Sequence, residues 1–599
     1  LEAQRYYLRH KQMKDTPRLL VLTGHSEFWP KIKEEEEHAL YLGPWCFSRN
    51  QFRKFFEQDD FEMAPSPYKD WKDVELHWTY ISKLHDRLIV SLSKYLNDLC
   101  DLQESEKFWK LRSSYWLVHW LCSYYDRYLT IKNLNAEYPL VATVVNYSGG
   151  LKIKSCEDAL ERLKEHEYNL ILYSELLNFL KFPSIVLKRE SIELFRVFQK
   201  QTLKSKIHFF LNYQFFLVFF GLFFGECKGL SFFDKIRLSL KSFSIQRFWS
   251  VIFRKIKIRK KEFNSINTHK EINFSDYFVS NNEFENCISE NIIKHIPESV
   301  FTKEPSSAEE GIWIGFDIYN SKKADLISRY TSGKNGKWYS VQHGGGYDQY
   351  LVFPHEKMEY EVSDGFVSWG WASKNSSKLT SLPSPHLVNL RKMNVDSRQK
   401  KQILYISTEH FAYFLRLHST LRPELQFSYL KEQANFIANL SEEVSKDFVF
   451  RASIQFGWNN LEYLKREDRL PKTISSINED IFSRILKARL VVVDHLATSY
   501  MESFALNIPT ILYFKEEMFG YSAKFKPYLM SLKEVGIYHE DSFSAVRFLN
   551  ENYHKIEDWW ASEKVQNRIQ DFLSEYGRVN ENWFVAWKSF SDQLLHPTF

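Results

Sequence analysis

Glycine and proline are scarce in this 599-residue chain, at 20 and 17 residues. Low-complexity structure and long flexible linkers are therefore not expected. Cysteine is scarcer still. Cys46, Cys100, Cys122, Cys156, Cys227 and Cys287 form no C-x-x-C pair, and the last 312 residues hold none. Neither a disulfide framework nor a zinc site fits that distribution. No secretory signal opens the chain, so a reducing cytoplasm is the expected compartment. A D-x-D metal motif and a Walker A loop are both missing, so we expect chemistry without a metal or other cofactor. No recognised RNA- or DNA-binding motif accompanies the basic residues, and nucleic acid is not an expected partner.

What is present is aromatic and locally basic. Phe, Trp and Tyr make up 17% of the chain, and 44% hydrophobic with 26% charged residues suits a soluble globular protein of two or more domains. The net charge is +5, but Lys228 to Lys261 alone carries a local +10, so the remainder sums to −5. Residues 209–225 (FFLNYQFFLVFFGLFFG) are uncharged, and the basic, aromatic segment 247–261 (RFWSVIFRKIKIRKK) follows soon after. Seventeen residues fall short of the ~20 that span a bilayer. Three readings stay open: a segment lying on an anionic membrane surface, a buried helix followed by a solvated basic loop, or a span.

The element pattern is α/β. RLLVLT (18–23) reads as a strand ending in Gly24-His25, and residues 72–130 carry helical periodicity dense in aromatics. LVATVV (140–145) is strand-like, residues 156–205 read as helical, and 262–310 as polar and loop-rich. Strand-like runs resume at GIWIGFD (311–317), YSVQHGGG (339–346) and GFVSWGW (365–371), and a second series runs from QILYIST (402–408) through FVFRAS (448–453) to LVVVDHL (490–496). The stretch VVVDHLATSYMESFALNIPTILYF is a βαβ unit in which Asn507-Ile508-Pro509 separates helix from strand. Such an α/β series binds ligands beyond the carboxyl ends of its strands. The expected fold is GT-B-like: two facing Rossmann-like domains with a helical, basic insertion in the N-terminal half. Residues 1–205 and 276–395 would form the first domain, 206–275 the insertion, and 396–599 the C-terminal nucleotide-binding domain with terminal helices.

Candidate residues sit at the strand ends. His343 precedes Gly344, Gly345 and Gly346, whose backbone can approach an anion closely, and Asp348 follows. A tight turn with an incidental histidine is the alternative. Thr498, Ser499 and Glu502 suit a phosphate and a ribose diol at a helix start, although S-x-x-E is also a capping box. Asp494 and His495 end the preceding strand. Ser407, Thr408 and Glu409 end the first strand of the second series, where a loop cap is equally ordinary. Arg451 could neutralise phosphate with its fork or form a common salt bridge. Thr23-Gly24-His25 and Asp317 end strands on the presumed acceptor side. Asp317, Asp348 and Glu409 are the candidate bases or nucleophiles, and an inverting and a retaining course both stay open.

Several segments together resemble a bacterial transferase family of lipopolysaccharide and surface-polysaccharide loci: YLGPWCF (41–47), YWLVHWLCSYYDRYL (115–129), VQHGGGY (341–347), FVSWGW (366–371), DHLATSYMESFALNIPT (494–510) and GIYHEDSFSAV (536–546). More distantly, the His-Gly turn and the T-S-x-x-E helix look like those of capsule proteins that transfer Kdo or other nonulosonic acids from CMP donors, and of glycerophosphotransferases. The resemblance implies a glycosyltransferase that moves a sugar from a nucleotide-sugar donor, of CMP-nonulosonic acid type by preference. Its acceptor would be a lipid-linked or growing oligosaccharide of lipopolysaccharide, O-antigen or capsule, met at the inner face of the cell membrane through residues 209–261. A CDP-polyol phosphotransferase and a non-catalytic membrane-associated assembly protein are the alternatives.

Overall fold

The computed structural model describes residues 18–25, 39–47, 62–134, 140–147, 151–189, 222–240, 272–307, 310–372, 376–393, 400–453, 458, 460–475 and 479–596. Three parallel five-stranded sheets organise them. The first comprises β1 (Arg18–Val21), β2 (Leu40–Tyr41), β3 (Glu62–Met63), β4 (Leu140–Tyr147) and β5 (Ser184–Arg189), in the order β3-β2-β1-β4-β5. The second comprises β6 (Leu222–Phe224), β7 (Ile312–Ile314), β8 (Lys337–Val341), β9 (Gly365–Ser368) and β10 (Leu379–Ser381), in reverse chain order from β10 to β6. The third comprises β11 (Ile403–Ile406), β12 (Phe448–Arg451), β13 (Leu490–Val493), β14 (Thr510–Tyr513) and β15 (Tyr538–His539), in the order β12-β11-β13-β14-β15. Strand order reverses between β11 and β13, which opens a crevice at their carboxyl ends. The fold is therefore α/β and Rossmann-like as expected, but residues 276–395 belong to a sheet separate from that of residues 18–189.

Helices α1 (Trp71–Cys100) and α2 (Glu106–Lys132) join the layers. Asp70 caps α1 by accepting from the Lys72 and Asp73 N–H groups, and Ser105 caps α2 by accepting from Phe108 N–H. Of the 27 residues of α2, 21 are buried, so this helix is enclosed on every side. Its Lys107 pairs with Asp364 at 2.8 Å beside the second sheet, and its Ser123 donates to the Leu415 carbonyl of the third at 3.1 Å. Toward the first sheet, Arg127 donates to Asn169 Oδ1 at 2.7 Å. The aromatic wealth of 115–129 is thus core packing around a central helix.

Helix α3 (Pro385–Arg391) follows the second sheet, α4 (Gln426–Ala438) and α5 (Ser499–Ala505) flank the third, and α6 (Glu563–Tyr576) leads to α7 (Trp583–Leu595). The last helix packs back on the second sheet: Trp587 Nε1 donates to the Pro383 carbonyl at 2.9 Å, and Phe590 meets Tyr339 edge-on at 5.7 Å.

Three expectations change. Residues 184–189 form a strand inside the region expected to be helical, because Pro183 follows the end of the preceding helix and β-branched Ile185 and Val186 favour extension. The loop-rich region 262–310 contains a helix, Glu283–Asn291, capped by Asn282. Of the uncharged run 209–225, Leu222–Phe224 are a buried strand pairing with β7, and residues 209–221 and 247–261 lie outside the described residues. Among the described residues no helix is long and apolar enough to cross a membrane. All six cysteines are buried free thiols.

Candidate functional site

The loops beyond β8 and β13 meet face to face. Gly345 N–H donates to Thr498 Oγ1 at 2.9 Å. A Cβ on Gly345 would stand 2.5 Å from the Ala497 carbonyl oxygen, so only glycine allows this approach. A Cβ on Gly344 would lie 3.0 Å from Thr498 Oγ1. The glycine turn expected to cradle an anion therefore spends one N–H on joining the second sheet to the third. Around it, Phe316, Tyr319, His343, His410, Arg416 and Ser499 stay half-exposed among buried neighbours and trace an open seam.

His343 stands at that seam, its side chain 28% exposed and its ring 4.4 Å from Phe316. Its Nε2 lies 3.0 Å from Glu359 Oε1. Glu359 is fully buried in a π-helical turn, Lys357–Glu361, a backbone irregularity frequent at functional sites. It also accepts from Tyr347 OH at 2.6 Å and from Tyr319 OH. Tyr319 OH lies 2.7 Å from His355 Nδ1, and His355 Nε2 meets Arg416 Nη1. An arginine can only donate, so His355 Nε2 accepts, its Nδ1–H donates to Tyr319, and Tyr319 donates to Glu359. With Glu359 as the common acceptor, His343 carries its proton on Nε2. The Nδ1 lone pair is left for the cleft, the arrangement a general base requires.

At the crevice of the third sheet a second histidine is held in the same way. Asp494, buried at the end of β13, accepts from Tyr405 OH (2.8 Å), Tyr429 OH (2.7 Å) and Gln433 Nε2 (2.9 Å), and its Oδ1 lies 2.9 Å from His495 Nδ1. Asp494 thus orients His495 rather than meeting a ligand itself. Ser407 Oγ donates to the Arg451 carbonyl at 2.9 Å and accepts from Ser453 N–H, tying the ends of β11 and β12. Thr408 is gripped through its backbone by Tyr429 OH. Glu409 is buried and accepts from Trp458 N–H at 2.6 Å. Arg451 reaches the Glu479 carbonyl at 3.5 Å, and burial lowers its pKa.

The capping box does not form. Thr498 is the N-cap of α5 without a side-chain cap bond, Ser499 occupies the first helical position, and Glu502 turns across the interface. There its Oε1 meets Lys228 Nζ and His386 Nε2, each at 2.8 Å. Burial raises the Glu502 pKa, yet the hydrogen bond from His386 and the charge of Lys228 prevail and hold it below its ordinary value. The carboxylate expected to bind ribose fastens the second sheet's lobe to the third.

The two other carboxylates of the N-terminal half do not face His343. Asp348 adopts a left-handed φ of 61° and pairs with Lys524 at 2.6 Å, on the side of α6. Burial raises its pKa, with Lys524 opposing. Asp317 is wholly buried, accepts from Trp313 Nε1 and Glu226 N–H at 2.9 Å each, and meets Lys323 Nζ at 2.9 Å. Burial pushes its carboxyl up to about 7 against the Trp313 N–H and Lys235. Asp317, Asp348 and Glu409 therefore hold loops together, and among these four candidates it is His343 whose side chain stands at the seam, held by Glu359. In the first sheet, His25 Nε2 stands 3.2 Å from Glu167.

Glu359, Tyr319, His355, Arg416, Lys228 and His386 were not legible as site residues. One signal pointed their way: the stretch after β11 runs to Arg422 without regular structure and is dense in His and aromatics, uncommon for an ordinary connection. Among the described residues no three His, Cys, Asp or Glu side chains are grouped to hold a metal ion.

The family model described as LIC12162 family transferase matches residues 18–590. No curated protein matches the chain. Among solved structures, the wall teichoic acid polymerase TagF is 12% identical, over 48% of this chain and 81% of its own, with a TM-score of 0.25. S. aureus MnaA with UDP is 12% identical over 48% of this chain and 76% of its own, TM-score 0.30. WaaG, a glycosyltransferase involved in lipopolysaccharide biosynthesis, is 9% identical over 63% of this chain and 100% of its own, TM-score 0.24.

Proposed function

The chain belongs to the LIC12162 transferase family, and we propose that it moves a glycosyl group from a nucleotide-activated donor to a hydroxyl of a surface glycan. The observation that carries this reading is the His343–Glu359 pair at the seam between the second and third sheets. His343 Nδ1 takes the proton of the acceptor hydroxyl as its oxygen attacks the anomeric carbon. The bond from that carbon to the phosphate oxygen breaks, and the nucleotide leaves with the electron pair. Glu359 stabilises the imidazolium that forms. The course is inverting, because the base acts on the acceptor and no carboxylate nucleophile among the described residues faces His343.

The donor nucleotide lies in the β11/β13 crevice, beside Thr408, His495 and Ser499. Charge on the leaving phosphate is met by protein donors, without a metal, in this proposal. A CMP-linked nonulosonic acid is the favoured donor, and the acceptor is lipid-linked or oligosaccharide, presented at the inner face of the cell membrane. Exposed Phe232 and Phe233, just ahead of the basic segment 247–261, support that placement.

The experiment is a panel of CMP, CDP, UDP and GDP in thermal-shift assays, followed by turnover with the corresponding donors. A raised Tm with one nucleotide, and transfer that His343→Gln abolishes, are expected. Turnover only with a CDP-polyol would replace glycosyl by polyol-phosphate transfer at the same base. No nucleotide response at all would favour a non-catalytic assembly role.

A further inference from the structure

The seam has a floor that none of the steps above uses. Arg416 stands on the long connection after β11, where the three sheets meet around α2. Tyr115 and His119 of α2, Tyr319 and His355 from the second sheet's loops, and His410 and His418 of its own connection surround it. Among the described residues no carboxylate pairs with Arg416. Its one hydrogen bond among the described residues is to His355 Nε2, and its Nε is buried without an acceptor. His418, 4% exposed, has a buried Nε2 in the same condition. Arg112 and Arg127 are buried in the same core and each has its aspartate, Asp325 and Asp126.

The neighbours of Arg416 do not supply the missing charge. Burial and the guanidinium itself push His119 and His410 down to about 3 and hold His355 and His418 well below the ordinary imidazole range, so all four are neutral. Tyr115 and Tyr319 are raised by burial and stay protonated. Arg416 is half-exposed at the seam, so its guanidinium reaches the cleft while losing part of its water without gaining a counter-charge, which is costly to a fold. A planar fork in an aromatic, histidine-lined recess is also the geometry that receives phosphoryl or carboxylate oxygens.

We propose that Arg416, with His418, is an anion seat in the floor of the cleft, receiving a phosphoryl or carboxylate group of a ligand. It deepens the transfer reading and rests on it only for what the ligand is. The seat connects to the base through His355 and Tyr319, so an anion on Arg416 lies on the hydrogen-bond chain that ends at Glu359 and His343. The two sources of such a group are the donor's phosphates and the carboxylate of an acidic sugar.

Calorimetric titration of the full chain with inorganic pyrophosphate and, separately, glucuronate distinguishes them. Pyrophosphate binding alone assigns the seat to phosphate, glucuronate binding alone assigns it to a sugar carboxylate, and binding of both assigns it to their shared charge. In each case Arg416→Gln is expected to weaken binding at least tenfold, and Arg416→Lys less. The ligand-free Arg416→Gln protein is expected to melt at or above the Tm of the parent, since an uncompensated charge has been removed. Absence of binding by both anions to the parent, equal affinity in Arg416→Gln, or a large fall in Tm on that substitution would each overturn the seat. Anion binding that depends on Arg416, alongside turnover indifferent to His343→Gln, would keep the seat and sink the transfer mechanism alone.

Discussion

Replacing His343 by Gln tests the base directly, and pairing it with Glu359→Gln tests how the base is made. Removing a positioned general base costs about 10²–10⁴-fold in kcat, which is about 3–5 kcal/mol of barrier. Glu359→Gln keeps an oxygen for His343 but removes the charge that stabilises its imidazolium. Three donors converge on that carboxylate, from His343, Tyr319 and Tyr347. Tyr347 can rotate its hydroxyl to accept from the new amide, so the network survives with one interaction weakened. A hydrogen bond to a charged group is worth about 1.5–3 kcal/mol, and a kcat loss of about 10- to 100-fold follows. Because Glu359 acts only through His343, the second substitution should cost nothing further once His343→Gln is present. The assay is nucleotide release from the donor that the panel identifies, with donor affinity measured by calorimetry and expected to change less than twofold. A His343→Gln protein retaining more than a tenth of parental kcat, or a Glu359→Gln effect equal in both backgrounds, refutes the reasoning.

Four other outcomes are expected. The Glu502 pKa is held below its ordinary value, so its contribution is present at neutral pH and is lost as pH falls through the lowered folded value. The Tm gap between parent and Glu502→Gln should therefore be widest near neutral pH and shrink as pH falls below the ordinary carboxylate range; a gap that grows in acid contradicts this. Asp494→Asn places an amide donor among Tyr405, Tyr429 and Gln433, and urea denaturation should show a loss of about 1–3 kcal/mol. Gly345→Ala drives a Cβ to 2.5 Å from the Ala497 oxygen, so it should part the second and third sheets' loops and lower both Tm and turnover, at a cost of about 1–3 kcal/mol; an unchanged Tm would mean the loops yield freely. Neutralising the lysines and arginines of residues 247–261 should reduce sedimentation with anionic liposomes while sparing turnover on a soluble acceptor, and equal sedimentation would remove the membrane role.

Local structure was legible where apolar runs are bounded by breakers. Leu490–Val493 and Thr510–Tyr513 are strands as expected, and Asn507 takes the left-handed φ of 56° that lets it end α5 ahead of Pro509. β7, β9 and β11 fall inside the stretches expected for them with shorter ends, and β8 overlaps its stretch but starts two residues earlier, at Lys337. The two-residue strands β2 and β3 carry no periodicity to find, and β6 hides within a uniformly apolar run where strand and helix look alike. The separation of the first sheet from the second has no local signal, because both are parallel α/β units joined by one chain and nothing local states which sheet a strand joins. At the site, His343, Gly345, His495, Thr498 and Glu502 stood out through position. Their partners did not, since Glu359 lies 16 residues from His343, and Glu502 pairs with His386 across 116 residues and with Lys228 across 274. Such pairings are set by how lobes dock, which a single sequence leaves unstated.

The enclosure of α2 explains why the charged residues of the cleft lie where they do. Along its buried stretch α2 cannot send its charges to water, so the charges there must find partners in the three surrounding layers or on the helix itself. Lys107, Arg112 and Arg127 do so, with Asp364, Asp325 and Asp126. Tyr115 and His119 point the same helix toward Arg416, and there the layers supply aromatic rings and neutral imidazoles but no acid. For these three cations of α2 the charge accounting closes within the chain. At Arg416, among the described residues, it stays open by one negative charge, and it does so in the half-exposed seam and at the end of the hydrogen-bond chain that orients His343. An unpaired cation in a junction where neighbouring cations are paired is stability given up at one point, and its link to the base through His355, Tyr319 and Glu359 makes ligand binding the physical reason for keeping it.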